Sequence, residues 1–178
     1  MDAAALLDEV FIDHSCDTLK QHCDRIEDCL GKLSYQQVWR RAGDHDNSIG
    51  NLVLHLCGNL NQWIGAGVAD RPDTRDRDAE FAARGGQQPA ELAQNLNAAV
   101  SSAIAIIREL TAEQLAESRC IQHYNVTVLE AVYHVVEHVV EHFAQHTGQI
   151  IFAAKLLTGA DLGYYKHLSN PRHTEATP

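Results

Sequence analysis

The chain has little of what would place a protein outside the cell, in a membrane or on a nucleic acid. Its five cysteines (Cys16, Cys23, Cys29, Cys57 and Cys120) form no CxxC pair. An odd number makes a poor disulfide framework, so they read as reduced, small hydrophobic side chains. No apolar run reaches the roughly 18–20 residues that cross a bilayer. The acidic start Met1-Asp2-Ala3-Ala4-Ala5-Leu6-Leu7-Asp8-Glu9 also lacks the basic stretch of a signal peptide. A cytoplasmic protein without membrane attachment is expected. Basic residues are scarce: 14 Lys and Arg against 24 Asp and Glu give a formal charge of −10. That charge repels polyanions and argues against nucleic acid as a partner. What remains, 178 residues of which 45% are hydrophobic, suffices for one core. We expect one domain over residues 1–168 and a flexible tail over 169–178, rich in Pro, Thr and His.

What is present is helical periodicity. Leu6, Leu7, Val10, Phe11, Leu19, Ile26 and Leu30 recur at helical spacing, and Gly31 supplies a stop. A loop with Tyr35, Trp39 and Asp44-His45-Asp46-Asn47 follows. Ser48 suits the N-cap of a second helix through Ile49, Leu52, Leu56, Leu60 and Trp63, ending near Gly65 or Gly67. Residues 68–88 are polar and charged, with Pro72 and Gly85-Gly86, and form a connection of a length usually reserved for function or disorder. Pro89 opens a third helix that runs to about Leu110. Thr111-Ala112-Glu113-Gln114 reads as a capping box for a short turn, and residues 119–126 suit an extended ribbon or a loop. Thr127-Val128-Leu129-Glu130 reads as a second capping box, opening a last helix that reaches about Leu157 before Gly159. Four amphipathic helices in series predict an all-α four-helix bundle with one long connection between helices two and three.

The last helix carries imidazoles four residues apart at His134, His138, His142 and His146. Spacing of i, i+4 stacks two side chains on one face, where both reach a single ion. Winding the helix puts Val132, Val136, Val139, Phe143, Ile150, Ala154 and Leu157 on a buried arc. His146 falls near its centre, His142 at its margin, His138 farther out and His134 toward solvent. His142 and His146 therefore combine the spacing with an inward direction. On the second helix His55 and Asn59 border the apolar arc at adjacent turns, which makes His55 the candidate third ligand. A single histidine on an apolar face is more often a hydrogen-bonded core residue. A facing pair shifts the balance toward metal, because burying two imidazoles without a shared partner costs desolvation twice. Three histidines leave a tetrahedral ion an open position, the mark of a catalytic site.

The run Ser48-Ile49-Gly50-Asn51-Leu52-Val53-Leu54-His55-Leu56-Cys57-Gly58-Asn59, together with His142-Phe143-Ala144-Gln145-His146-Thr147-Gly148-Gln149-Ile150, resembles the DinB-like (DinB/YfiT) superfamily. Arg75-Asp76-Arg77-Asp78-Ala79-Glu80-Phe81 looks like the corresponding segment of a little-characterised subgroup. The likeness extends over nearly the whole chain to about Tyr165. It implies a four-helix bundle, often a homodimer, holding a divalent metal through His55, His142 and His146. It also implies chemistry of the kind done by thiol transferases that use low-molecular-weight thiols such as bacillithiol, or by a mycothiol-dependent maleylpyruvate isomerase.

The leading expectation is a metal-dependent thiol transferase or hydrolase acting on a small molecule, with Zn, Ni, Fe or Mn bound. Such an ion lowers the pKa of bound water or binds a thiol as thiolate. Arg75 or Arg77 could hold a substrate carboxylate, and Asp78 and Glu80 could act as acid/base groups or orient the ligands. As a solvated charge run, the same residues would pair among themselves. Asn59 and Trp63, one and two turns beyond His55, line the same cavity or pack the core, and Gln149 orients His146 or bridges helices. Two further readings stand beside the enzyme: a sensor or storage module that binds metal without turnover, and a purely structural dimer.

Overall fold

The computed structural model describes residues 3–123 and 126–166; the expected tail at 169–178 lies outside them. Helix α1 spans Ala3–Gly31, α2 Tyr35–Val38, α3 Ile49–Leu60, α4 Arg77–Ala82, α5 Pro89–Arg108, α6 Ala112–Ala116 and α7 Val132–Thr158. Helix α3 continues without a break into a π-helical stretch, Asn61–Val68. Several starts and stops follow the sequence signals. Ser48 caps α3 in a reciprocal box with Asn51, Pro89 occupies the first turn of α5, and Thr111 caps α6 with Gln114. Gly159 closes α7 at φ 65°, a left-handed conformation that favours glycine.

The last helix does not begin where the sequence suggests. Val126–Ala131 is a strand, β2, paired antiparallel with β1 (Ser118–His123) in register Cys120↔Leu129 and Ile121↔Val128. The expected all-α chain is thereby corrected to a mostly helical one with a two-stranded sheet. β-Branched Val126, Thr127 and Val128 suit a pleated surface, and strand pairing satisfies more backbone groups than one side-chain cap at Thr127 would. The first amide of α7, Val132 N, donates instead to Glu117 O at 2.8 Å. Ile121, fully buried, presses against the π-helical stretch where a Cβ on Gly67 would meet it at 2.4 Å.

The long helices pack in alternation, α1 against α5 and α7, α3 against α5 and α7. Asn97 bonds Glu27 and Arg108 approaches Asp17, so α1 and α5 run antiparallel. Phe11 stacks on Tyr133 near the start of α1, and Gln37, just past its end, donates to Leu157 O, so α1 and α7 run parallel. His55 meets His142 and Trp63 meets His138, so α3 and α7 run antiparallel. It follows that α3 and α5 are parallel, and the chain between them must travel back along the molecule. That return path carries α4 across α3. Leu19, Ile26, Leu56, Leu92, Leu96, Val139, Phe143 and Ile150 fill the centre, with Cys16, Cys23 and Cys29 as buried free thiols. Cys57 is half-buried and Cys120 exposed. Among the described residues no helix is long and apolar enough to cross a membrane.

Candidate metal centre

The antiparallel contact of α3 and α7 brings His55, His142 and His146 to one level. Nε2 of His142 lies 3.1 Å from Nε2 of His55 and 3.1 Å from Nε2 of His146. The three side chains offer donor atoms all within 4.8 Å of one another. Nδ1 of His55 faces Glu80 Oε2 at 2.8 Å, and Nδ1 of His146 faces Gln149 Oε1 at 2.7 Å. Both partners are acceptors, so each Nδ1 carries the proton and each Nε2 turns a lone pair inward. His142 can donate to only one of those lone pairs, and its Nδ1 is buried with no hydrogen-bond partner among the described residues. Facing lone pairs repel at such separations. A cation among them converts all three nitrogens into ligands, so the donor set fits a divalent metal. Burial first, and then His146, His55, His138 and Arg75, push His142 down to about 3. Burial likewise lowers His146. Both are neutral near pH 7, the form that binds metal.

The two inward-facing positions on α7 differ slightly from the wheel. The most buried stripe runs through Val139, Phe143, Thr147 and Ile150, so His142 and His146 sit together on its border and are half-buried. Thr147 takes the interior place and donates its hydroxyl to Phe143 O at 2.8 Å.

Glu80 is the group that the return path supplies. It is 8% exposed and accepts from His55 Nδ1, from Arg75 Nε at 2.8 Å and from Arg75 Nη2 at 3.0 Å. Burial alone would raise its carboxyl, but the hydrogen bonds from His55 and Arg75 and the Arg75 charge outweigh it and hold the group below its ordinary value. Arg75 Nη2 also lies 3.0 Å from His55 Nδ1. Two donors cannot bond each other, and the carboxylate is their common acceptor. Arg75 Nη1 donates to Gln62 Oε1 at 2.9 Å, and Gln62 Nε2 donates to Asp73 Oδ2 at 2.8 Å. A Cβ on Gly58 would lie 1.9 Å from Glu80 Oε1, so only glycine admits the carboxylate there.

Helix α4 is fixed from both sides. Asp76 accepts from Ala79 N at its start. Buried Asn51 donates from Nδ2 to Glu80 O at 2.8 Å and to Ala83 O at 2.9 Å, while its Oδ1 accepts from Ser48. Phe81 lies 4.7 Å from the His55 ring, and the Arg77 guanidinium sits 4.7 Å over Phe81. Asp78 is exposed on α4 and is not brought to the histidines. Trp63 stacks on His138 at 3.9 Å, and His138 lies parallel to His142 at 5.6 Å, outside the converging group. His134 is exposed beside Glu130. Asn59, with His55, His142, Trp63 and the two arginines, lines a cavity of about 160 Å³. On the other side of the histidines Leu52 and Gln149 border a wider cleft of about 590 Å³ with Phe152 and Leu156.

Sequence reasoning missed Asn51, Gly58, Gln62 and Phe81. Only Gly58 left a signal: a glycine inside an amphipathic helix costs about 1 kcal/mol relative to alanine, which asks for a packing reason.

Two solved structures share the fold. A conserved protein from Enterococcus faecalis is 20% identical, with a TM-score of 0.68 over 83% of this chain and 97% of its own. A DinB-like protein from Bacillus subtilis is 15% identical, with a TM-score of 0.63 over 85% of this chain and 97% of its own. No curated protein matches the chain in sequence. The family model for a protein of unknown function, DUF1572, matches residues 7–174. With nearly all of its length matched, and the fold shared with a DinB-like protein, this chain belongs to the DUF1572 family.

Proposed function

We propose that the chain is a metal-dependent enzyme acting on a small molecule, built as one four-helix bundle with a crossover connection and holding a divalent ion through His55, His142 and His146. The observation that carries this reading is the inward convergence of three Nε2 atoms, two of them backed at Nδ1 by an acceptor. An imidazole-only set suits Zn, Ni, Fe or Mn. When bound, such an ion supplies a nucleophile at neutral pH by acidifying water or stabilising a thiolate, which fits hydrolysis and thiol transfer alike. The chain's own part is to fix the ligands. Glu80 holds the proton on His55 Nδ1, Gln149 holds that on His146 Nδ1, and Arg75 keeps Glu80 ionised in a buried place. A low-molecular-weight thiol of peptide size exceeds the 160 Å³ cavity and would use the wider cleft beyond Gln149. The Arg75 to Phe81 segment, which carries Glu80 to His55, defines the subgroup in this proposal.

Elemental analysis of the untagged protein beside His55→Ala, His142→Ala, His146→Ala and His134→Ala variants tests the site. About one ion per chain is expected in the wild type and in His134→Ala, with loss in the other three. Wild-type protein that stays metal-free after reconstitution would sink the enzymatic reading. The proposal includes a homodimer, supported by exposed Leu6, Leu7 and Val10 beside the Phe11–Tyr133 stack. Sedimentation at micromolar concentration reads this directly, and a monomer there removes it.

A further inference from the structure

Two of the three converging imidazoles are backed by an acceptor at Nδ1, Glu80 for His55 and Gln149 for His146. Such a partner fixes the tautomer of a ligating histidine and the direction of its ring. His142 stands between the other two, 3.1 Å from the Nε2 of each, and lacks that support: its Nδ1 is buried with no hydrogen-bond partner among the described residues. The torsion that turns an imidazole about its Cβ–Cγ bond is broad, so a ring without a hydrogen bond depends on its packing for a fixed direction.

That packing is a row of flat side chains. His55 and His146 touch His142 at Nε2 with rings inclined at 68° and 84°. His138, one turn earlier on α7, instead lies nearly parallel to His142, at 18° and 5.6 Å between centroids, within the roughly 4.5–7 Å of offset-stacked rings. Trp63, only 7% exposed, closes the row from α3: its ring lies 3.9 Å from that of His138 at 27°. Trp63 belongs to the π-helical stretch Asn61–Val68. Bonding i→i+5 swings each residue through less than the about 100° of an α-helix, and such stretches recur at functional sites. On a regular α-helix Trp63 would stand about 80° around the axis from His55; the wider turns bring it back toward the side from which His55 faces α7. Trp63, His138 and His142 all line the 160 Å³ cavity.

We propose that His138 and Trp63 are positioning residues for the histidine cluster: stacked in series, they hold the His142 ring in its ligating direction in place of a hydrogen bond at Nδ1. The proposal rests on the metal reading for its chemical meaning. It assigns His138 a role as a flat surface against a ligand, outside the ligand set itself.

The order of the His142 ring in metal-free protein tests this directly, read by carbon NMR relaxation of its Cδ2–H vector in histidine-labelled protein and assigned with His142→Ala. Zinc affinity is measured on the same variants. In the wild type the ring should be as ordered as rigid backbone, with an order parameter near about 0.85. His138→Ala and Trp63→Leu should lower it below about 0.6 and weaken zinc binding about tenfold or more. His138→Phe and Trp63→Tyr keep a flat ring in the row and should restore both readouts, which a role for the His138 nitrogens would not allow. His134→Ala, at the exposed position one turn before His138, should match the wild type. Ring order unchanged in His138→Ala and Trp63→Leu overturns the proposal, and so does failure of both flat-ring variants to restore it in folded protein. A wild type that binds no zinc, yet loses ring order in His138→Ala and Trp63→Leu, counts against the metal reading and supports the positioning role.

Discussion

Replacing Glu80 by Gln removes one charge from a pair that water barely reaches: the Arg75 and Glu80 side chains are 6% and 9% exposed. The carboxylate accepts one bond from His55 and two from Arg75. A neutral amide can accept at one oxygen only and turns its N–H₂ toward a guanidinium that also donates. Three charge-assisted bonds thus become one neutral bond from His55, a difference of about 1–1.5 kcal/mol each, while Arg75 keeps only Gln62. The sum, about 3–4 kcal/mol, agrees with the roughly 3–5 kcal/mol lost when one partner of a buried pair is removed. Urea unfolding of metal-free wild type, Glu80→Gln, Arg75→Met and the double variant measures it. The double variant should lose clearly less than the sum of the singles, because removing both charges leaves neither stranded. Zinc affinity of Glu80→Gln should fall about 10- to 100-fold, since His55 exchanges a carboxylate acceptor for a weaker, neutral one. A stability loss below about 1 kcal/mol, or strict additivity in the cycle, would refute the buried-pair reasoning.

Two further outcomes follow from the same geometry. Gly58→Ala places a methyl 1.9 Å from Glu80 Oε1, so it should displace the carboxylate. Zinc affinity should then fall about tenfold or more even though alanine is the better helix former; a gain in stability with unchanged affinity would show that Glu80 does not need that gap. Acid should destabilise the metal-free protein early. His142 is held near 3 in the folded chain against 6.5 unfolded, and His146 and His22 are lowered in the same direction by burial. The unfolded state therefore binds more protons below pH 6.5. The stabilisation is complete above that value and is lost as pH falls toward about 3. For His142 alone the loss by pH 5 is about 1–2 kcal/mol, read as a falling Tm in the presence of chelator, and His142→Phe should flatten the profile.

The helices were legible because each rests on local pattern. Leu52, Leu56 and Leu60 on α3 and Val139, Phe143 and Ile150 on α7 are buried as their spacing requires. The capping box at Ser48, Pro89 and Gly159 mark ends through interactions within four residues. The histidine set was legible for a related reason. Spacing of i, i+4 fixes the relation of His142 to His146, and a border position on α3 leaves His55 only the neighbouring helices to face. Thr127-Val128-Leu129-Glu130 shows the limit of local signals: a valid capping sequence became a strand because a partner strand, Ser118–His123, was available to pair with it.

The sequence by itself therefore determined where the long helices lie and that His142 and His146 share one face of the last of them, since both depend on residues within a turn or two of each other. Tertiary structure alone decided what surrounds them. Arg75, Arg77, Asp78 and Glu80 form one charged run in the chain, yet only Glu80 is buried against His55, Arg75 is spent on Glu80, Arg77 faces the cavity, and Asp78 stays in solvent. That division arises because parallel α3 and α5 force the intervening chain back across α3, where Gly58 leaves room for one carboxylate and Asn51 anchors the helix that brings it. Contacts between residues 25 to 32 positions apart, such as His55 with Glu80 and Asn51 with Ala83, depend on the path of the whole crossover, and no periodicity within it records that path.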